Sequence, residues 1–168
     1  MKGASRLSAS ARASAGVPTG ERVIAWGIGE GQDPDGSHVV ATNQALYEQR
    51  TGIRLAWQDV IKGTWEQPDF VIDYQGIGGP RRVRIHLDDP RELPAAVRDR
   101  VTDTVVISEY RELTEDAGAH FVARRAPGGG LDGIGWSVVF DAGIDPADPD
   151  MRARADRVLA ELRASLGI

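Results

Sequence analysis

The sequence predicts an α+β fold: seven antiparallel strands and a helix, followed by three more antiparallel strands and a C-terminal amphipathic helix. The first observation is a set of three consecutive segments in which apolar and polar residues alternate, at 60–66, 69–75 and 81–87. A period of two is typical of strands with one buried and one solvated face. The second observation is a pair of segments, 91–103 and 151–166, whose apolar residues recur at the spacing of a helix.

The first seven strands are predicted from alternation and from the Gly, Pro and Asn residues that separate them. They cover residues 22–27, 38–43, 45–49, 53–57, 60–66, 69–75 and 81–87. A tight turn at Asn43-Gln44 joins the second and third strands. The side chains expected on the buried face of the last three strands are Ile61, Gly63, Trp65, Phe70, Ile72, Tyr74, Val83, Ile85 and Leu87.

A helix over about 91–103 is predicted to follow the seventh strand. Its apolar residues are Leu93, Ala96, Val97 and Val101. The segment Asp88-Asp89-Pro90 indicates its N-cap, because an acid before a proline is typical of a helix start.

The second part of the chain predicts three strands, at 104–113, 120–126 and 134–140, and one helix. Asp145-Pro146 and Asp148-Pro149 are alternative N-caps for this helix, and Gly167 is a C-cap. The helix carries one apolar stripe made of Met151, Ala155, Val158, Leu159, Leu162 and Leu166. We expect this stripe to pack against the three-stranded sheet.

The first twenty residues are rich in Ser, Ala, Gly and Arg and contain almost no large apolar side chain. Such a segment cannot bury enough surface to offset its ordering entropy, so a disordered tail is predicted over 1–20. A transit peptide and an over-extended start of translation are alternatives. The expected division of the chain is therefore 1–20, 21–103 and 104–168, and whether the last part is a separate domain stays open.

Composition excludes several classes of protein. The chain of 168 residues has no cysteine, which excludes disulfides and thiolate metal sites and fits a reducing cytoplasm. Its net charge is −5, and its first twenty residues are basic, so the remainder is more acidic still. We therefore expect no binding to nucleic acid and none to an anionic membrane surface. No apolar run approaches the about 18–20 residues that a membrane-spanning helix needs, so no integral membrane association is expected.

A family resemblance is carried by residues 38–65, HVVATNQALYEQRTGIRLAWQDVIKGTW. The segment V-V-A-T-N-x-x-L-Y, followed by L-x-W-x-D-V and a tryptophan, resembles the opening of bacterial pleckstrin-homology-like (PH-like) domains. Those domains are seven-stranded, bent barrels capped by a C-terminal helix. The resemblance covers about residues 21–103, and the remainder is similar to uncharacterised conserved proteins of high-GC bacteria.

The resemblance implies a binding or scaffolding module of the cytoplasm that recognises a protein partner. Phosphoinositide binding is not expected, because the first inter-strand loop, 27–37, contains Glu30, Asp33 and Asp35 and no basic residue. The alternative is a small-ligand carrier or an enzyme that uses a cleft between the two halves and the acids before the last helix. The oligomeric state stays open.

One group of basic residues is a candidate binding site on the solvated face of the predicted meander. Its members are Lys62, Arg81, Arg82, Arg84 and His86, with Arg81 at the edge. These side chains would either bind an anionic partner or pair across the strands with Glu66 and Asp73.

No pattern in the sequence indicates a catalytic residue, a cofactor or a metal. The acids Asp141, Asp145 and Asp148 are a weak alternative metal site, and helix capping also explains them. The segment Gly27–Gly31 lacks the further glycine and the following helix of a dinucleotide-binding loop, and a calcium loop starting at Asp33 lacks its final glutamate. The three histidines are far apart in sequence, and the four tryptophans lie at apolar positions that predict a core.

Overall fold

A computed structural model of the chain describes residues 6–31, 36–130 and 133–167. The protein is an α+β protein with a seven-stranded antiparallel sheet, a separate three-stranded antiparallel sheet and a C-terminal helix. The chain divides into two compact units, Met1–Thr104 and Val105–Ile168. The predicted layout of strands and helices is confirmed.

The elements of the first unit are β1 (Val23–Gly29), β2 (Ser37–Thr42), β3 (Ala45–Glu48), β4 (Ile53–Ala56), β5 (Val60–Glu66), β6 (Asp69–Gly76), β7 (Gly79–Asp89), α1 (Ala9–Ser14) and α2 (Leu93–Asp103). A 3-10 turn over Trp57–Asp59 links β4 to β5. The elements of the second unit are β8 (Val105–Glu112), β9 (Gly118–Arg124), β10 (Gly135–Phe140) and α3 (Pro149–Leu166).

The large sheet has the strand order β4-β3-β2-β1-β7-β6-β5. Two meanders, β1–β4 and β5–β7, are joined where the end of β7 pairs with the end of β1 through Gly29↔Leu87 and Ile28↔Asp89. The strands β4 and β5 therefore lie at the two edges of the sheet. Helix α2 packs against β1, β2 and β5 and contributes Leu93, Val97 and Val101 to the main core.

The alternation predicted for β5–β7 is confirmed with one change of register. Phe70 and Ile85 are buried in the main core, as predicted. In β5 a bulge between Val60 and Lys62 shifts the pattern, so Val60 rather than Ile61 is a buried member of that core. A bulge adds one residue to a strand and reverses the faces of the residues before it.

The start of α2 differs from the prediction. The N-cap residue is Glu92, and its side chain makes no capping hydrogen bond. Asp89 does not cap the helix because it is still paired with Ile28 at the end of β7. The chain turns into the helix through Arg91, whose φ of 46° is in the left-handed region.

The N-terminal segment differs from the prediction of disorder over its described part. Helix α1 begins after Ser8, whose hydroxyl accepts a hydrogen bond from the Ala11 amide. Beyond the helix, Ala15 and Val17 are buried. They belong to a second core cluster on the outer face of β1–β3, together with Leu7, Val23, Trp26, Val40, Ala45 and Tyr47. The outer face of β1–β3 is thus apolar, and the N-terminal segment covers it.

The second unit follows the prediction closely. Its sheet has the order β10-β9-β8. The stripe of α3 packs with sheet residues in one cluster made of Leu113, Ala119, Phe121, Trp136, Val138, Phe140, Met151, Ala155, Val158, Leu159 and Leu162. Of the two alternative N-caps, Asp148 is the one used, since its carboxylate accepts from the Asp150 amide at 2.8 Å. Gly167 is the C-cap, with a φ of 74°.

The residues that carry the family resemblance hold the first unit together. Trp57 is completely buried, and its indole N–H donates to the Thr42 carbonyl at 2.8 Å. The Thr42 hydroxyl donates to Glu21 at 2.6 Å and accepts from the Ala45 amide at the β2–β3 turn. The Tyr47 hydroxyl donates to the other oxygen of Glu21 at 2.8 Å. These contacts give the motif a structural role.

We expect Trp57→Phe to lower the unfolding free energy of the first unit by about 1–3 kcal/mol, because it leaves the buried Thr42 carbonyl without its donor. Hydrogen exchange of the slow amides in β2 and β6 measures this free energy. Trp65→Phe is the matched control, since the Trp65 indole makes no hydrogen bond within the described residues, and we expect a smaller loss. Equal losses in the two variants would contradict the role of the Trp57 hydrogen bond.

Candidate functional site

The predicted basic face lies on the outer side of β5–β7, and we call it the charged sheet face. Strand register brings its residues into two rows, Lys62↔Asp73↔Arg82 and Glu66↔Asp69↔His86. Arg84 lies between the rows on β7, opposite Val71. Four of the five predicted site residues therefore share this face.

Arg81 lies on the other face of the sheet. It pairs with Tyr74, whose ring packs against the main core, and alternation places both side chains on the same side. Its guanidinium donates to the Ile77 carbonyl at 3.2 Å, within the β6–β7 hairpin.

Carboxylates on β5 and β6 pair with three of the four cations of the charged sheet face. Arg82 binds both oxygens of Asp73, at 2.6 and 3.0 Å. One oxygen of Asp69 accepts a hydrogen bond from Arg84 at 3.0 Å, and the other oxygen accepts one from His86 at 3.0 Å. Cross-strand pairing, one of the two interpretations of the sequence, thus describes Arg82, Arg84 and His86 in this structure. For Lys62, no ion pair is found within the described ranges.

These pairs shift the titration of the groups involved. The hydrogen bond that His86 donates to Asp69 raises the pKa of His86, and the nearby Asp88 adds to the shift. The hydrogen bonds from Arg84 and His86 lower the pKa of Asp69. The groups are solvent-accessible, so the pairs contribute little to stability.

The hairpin between β6 and β7 ends in an exposed apolar side chain that the sequence analysis missed. Ile77 is 95% exposed, the highest value among the large apolar residues that are exposed in the described part of the chain. Gly78 and Gly79 follow it with φ of 87° and 130°, which only glycine adopts without strain. The signal in the sequence was an isoleucine enclosed by glycines in the predicted turn QGIGGP.

A groove on the first unit is the second feature that the sequence analysis missed, and we call it the arginine groove. Its volume is about 1240 Å³. It is lined by Arg6, Leu7, Arg12, Arg22, Val23, Ile24, Ala25, Trp26, Asp89, Arg91, Glu92, Ala95, Ala96, Asp99 and Arg100. The sequence does not predict this groove, because Arg6 and Arg12 lie in the segment for which disorder is predicted.

The acids before α3 each have a separate role in the second unit. Asp141 accepts from the Tyr110 hydroxyl at 2.7 Å and from the Gly118 amide at 2.8 Å. The hydrogen bond from Tyr110 lowers the pKa of Asp141. Asp145 accepts from the Ala147 amide, and Asp148 caps α3. Across the described residues, no group of three or more His, Asp or Glu side chains could hold a metal ion.

The glycines at the end of β1 have a packing role. Gly29 allows the close approach of β7, since a Cβ there would lie 2.8 Å from the His86 carbonyl oxygen. Of the acids in the following loop, Asp33 and Asp35 lie outside the described residues, and Glu30 is 3.9 Å from Arg50.

The histidines make separate contacts. His38 packs against Trp26 with ring centroids 5.6 Å apart. His120 packs against Tyr110 at 5.1 Å, on the second unit.

Comparison with protein families, with curated proteins and with solved structures finds no match to this chain. The helices of the described ranges include none with the length and apolar character needed to cross a membrane.

We expect Asp69→Asn to lower the pKa of His86, because the neutral amide no longer favours the charged imidazole. The pKa of His86 is raised in the folded state, so the charged imidazole stabilises the fold at pH values below its pKa in the unfolded chain, about 6.5. This stabilisation is lost as the pH rises through the folded-state pKa of His86. NMR titration of the imidazole measures the shift. Asp99→Asn, on α2, is the control and should leave His86 unchanged. An unchanged His86 pKa in Asp69→Asn would contradict the pairing.

Proposed function

We propose that the protein is a non-enzymatic PH-like module of the cytoplasm that binds or scaffolds a protein partner. The strand order supports this proposal, with two meanders joined through β7 and one helix packed against them. The lack of cysteine fits a reducing compartment.

The partner would bind on the outside of the first unit, because its interior is filled. Five of its side chains are each at most 2% exposed: Trp57 in the β4–β5 turn, Phe70 and Leu87 in the sheet, and Leu93 and Val97 in α2. Side chains that are buried this deeply are not available to a partner.

Exposure of Ile77 is the observation that carries the proposal. Burial of this side chain in a pocket of a partner would remove about one isoleucine's worth of apolar surface from water, which is favourable. Arg81 lies at the base of the same hairpin, and no carboxylate pairs with it within the described residues. The chemistry that fits this tip is a partner with an apolar pocket and an acidic rim.

Phosphoinositides are not part of the proposal. The loop that follows β1 contributes Glu30 and no basic side chain, so it would repel phosphate groups. The alternative of a carrier or an enzyme based on Asp141, Asp145 and Asp148 stays a prediction, and each of these acids accepts hydrogen bonds within the second unit.

A photoreactive amino acid at position 77, in the full chain expressed in its native cells, is expected to give a discrete covalent adduct with one partner. The control position is Glu115, an exposed residue in a turn of the second unit, which should give none. With the partner purified, Ile77→Ser should weaken binding by about tenfold or more. Equal adducts at 77 and 115, or an unchanged affinity of Ile77→Ser, would exclude the hairpin tip as the interface.

A second variant, Arg82→Glu/Arg84→Glu, tests the charged sheet face with the same purified partner. We expect weaker binding, because the substitution turns two cations into anions beside Asp69 and Asp73. Calorimetry measures the affinity, and circular dichroism checks the fold. An affinity equal to that of the wild type would remove Lys62, Arg82, Arg84 and His86 from the proposed interface.

A further inference from the structure

The arginine groove has one wall whose charges are all positive. This wall comes from the N-terminal segment and the start of β1, and its charged members among the described residues are Arg6, Arg12 and Arg22. The acids Asp89, Glu92 and Asp99 all line the groove from the other wall, at the end of β7 and on α2. Over the whole groove, five arginines and three acids are among the described lining residues.

The arginines of the basic wall are not neutralised by the protein. None of the ion pairs within residues 6–31, 36–130 and 133–167 involves Arg6, Arg12 or Arg22. Arg12 uses one terminal nitrogen to donate to the carbonyls of Pro18 and Glu21, which fixes the side chain in place. Its Nε is shielded from solvent and has no hydrogen-bond partner in the described structure. The Arg12 guanidinium is therefore held in one position on this wall.

The opposite wall carries a guanidinium that is already oriented. The Cζ atom of Arg91 lies over the Trp26 ring, 3.6 Å from its centroid, and the Arg91 Nε binds Asp89 at 3.0 Å. The left-handed backbone of Arg91 places the side chain there at a cost in strain of about 1–3 kcal/mol. Strained residues cluster at active sites, ligand clamps and switch regions. The contact with Trp26 and the ion pair with Asp89 fix the orientation of the remaining N–H groups of Arg91.

We propose that the arginine groove is a binding site for an oxyanion, a phosphate or carboxylate group of a ligand that enters from solvent. Arg12 and Arg22 hold the anion on the basic wall, and Arg91 contacts it from the opposite wall. Guanidinium groups bind these anions through paired, charge-assisted hydrogen bonds. Arg91 already covers one face of Trp26, so charge rather than ring stacking recognises the ligand.

The acids of the opposite wall set the limits of the site. Asp89 is paired with Arg91, whereas Glu92 and Asp99 form no ion pair in the described structure. Their charge repels an anion that fills the whole groove, so the bound group lies against the basic wall. This site is separate from the hairpin tip, and neither proposal depends on the other.

The test uses the full chain and two soluble probes, tripolyphosphate and citrate, measured by calorimetry and thermal shift. Vesicles of phosphatidylcholine with and without phosphatidic acid test whether a lipid headgroup is the source of the anion. The variants are Arg22→Gln, whose exposed side chain makes no ion pair in the described structure, and Arg91→Gln. Arg98→Gln is the matched control, an exposed arginine on α2 that does not line the groove.

We expect the wild type and Arg98→Gln to bind tripolyphosphate equally, and binding to weaken with added salt. Arg22→Gln and Arg91→Gln should each weaken binding by about tenfold. Binding only to vesicles with phosphatidic acid, lost in the same two variants, would support the site with a lipid as its source. No binding of either kind by the wild type, or an equal loss in Arg98→Gln, would overturn the proposal.

Discussion

The first unit depends on the burial of Trp57 and on the hydrogen bond from its indole to the Thr42 carbonyl. This residue lies in the turn between β4 and β5, where one meander ends and the other begins. Its ring packs in the core that both meanders and α2 share. Thr42 also accepts a hydrogen bond in the β2–β3 turn and donates one to Glu21. The contact between Trp57 and Thr42 therefore connects the end of β4, the β2–β3 hairpin and the segment that precedes β1.

Two surfaces of this unit differ in whether their basic side chains are paired with carboxylates. On the charged sheet face, carboxylates on β5 and β6 pair with the arginines and the histidine of β7. In the arginine groove, the bases of the N-terminal segment have no such partners in the described structure. The sequence left both cross-strand pairing and partner binding open for the cations of β7, and it predicted a disordered tail for the arginines of the first twenty residues. Register, which pairs residues far apart in sequence, decides the charge of a surface.

Much of the fold could be predicted from local patterns, and the site could not. Alternation predicted the burial of Phe70 and Ile85, and helical spacing predicted the stripe of α3, because both signals lie within one element. The bulge at Val60 was missed because a pattern with a period of two does not reveal one extra residue. The groove was missed because its arginines come from separate segments, and because a tail without large apolar residues was not expected to find an apolar face to cover.

That covered face has a practical consequence for anyone who handles the protein. The run Val39-Val40-Ala41 leaves β2 apolar on both sides, and Ala15 and Val17 shield the outward side. Deletion of the first twenty residues would expose Val40 and Tyr47 together with part of Trp26 to solvent. A contiguous exposed apolar surface favours self-association, so we expect the truncated chain to aggregate on expression under conditions in which the full chain does not.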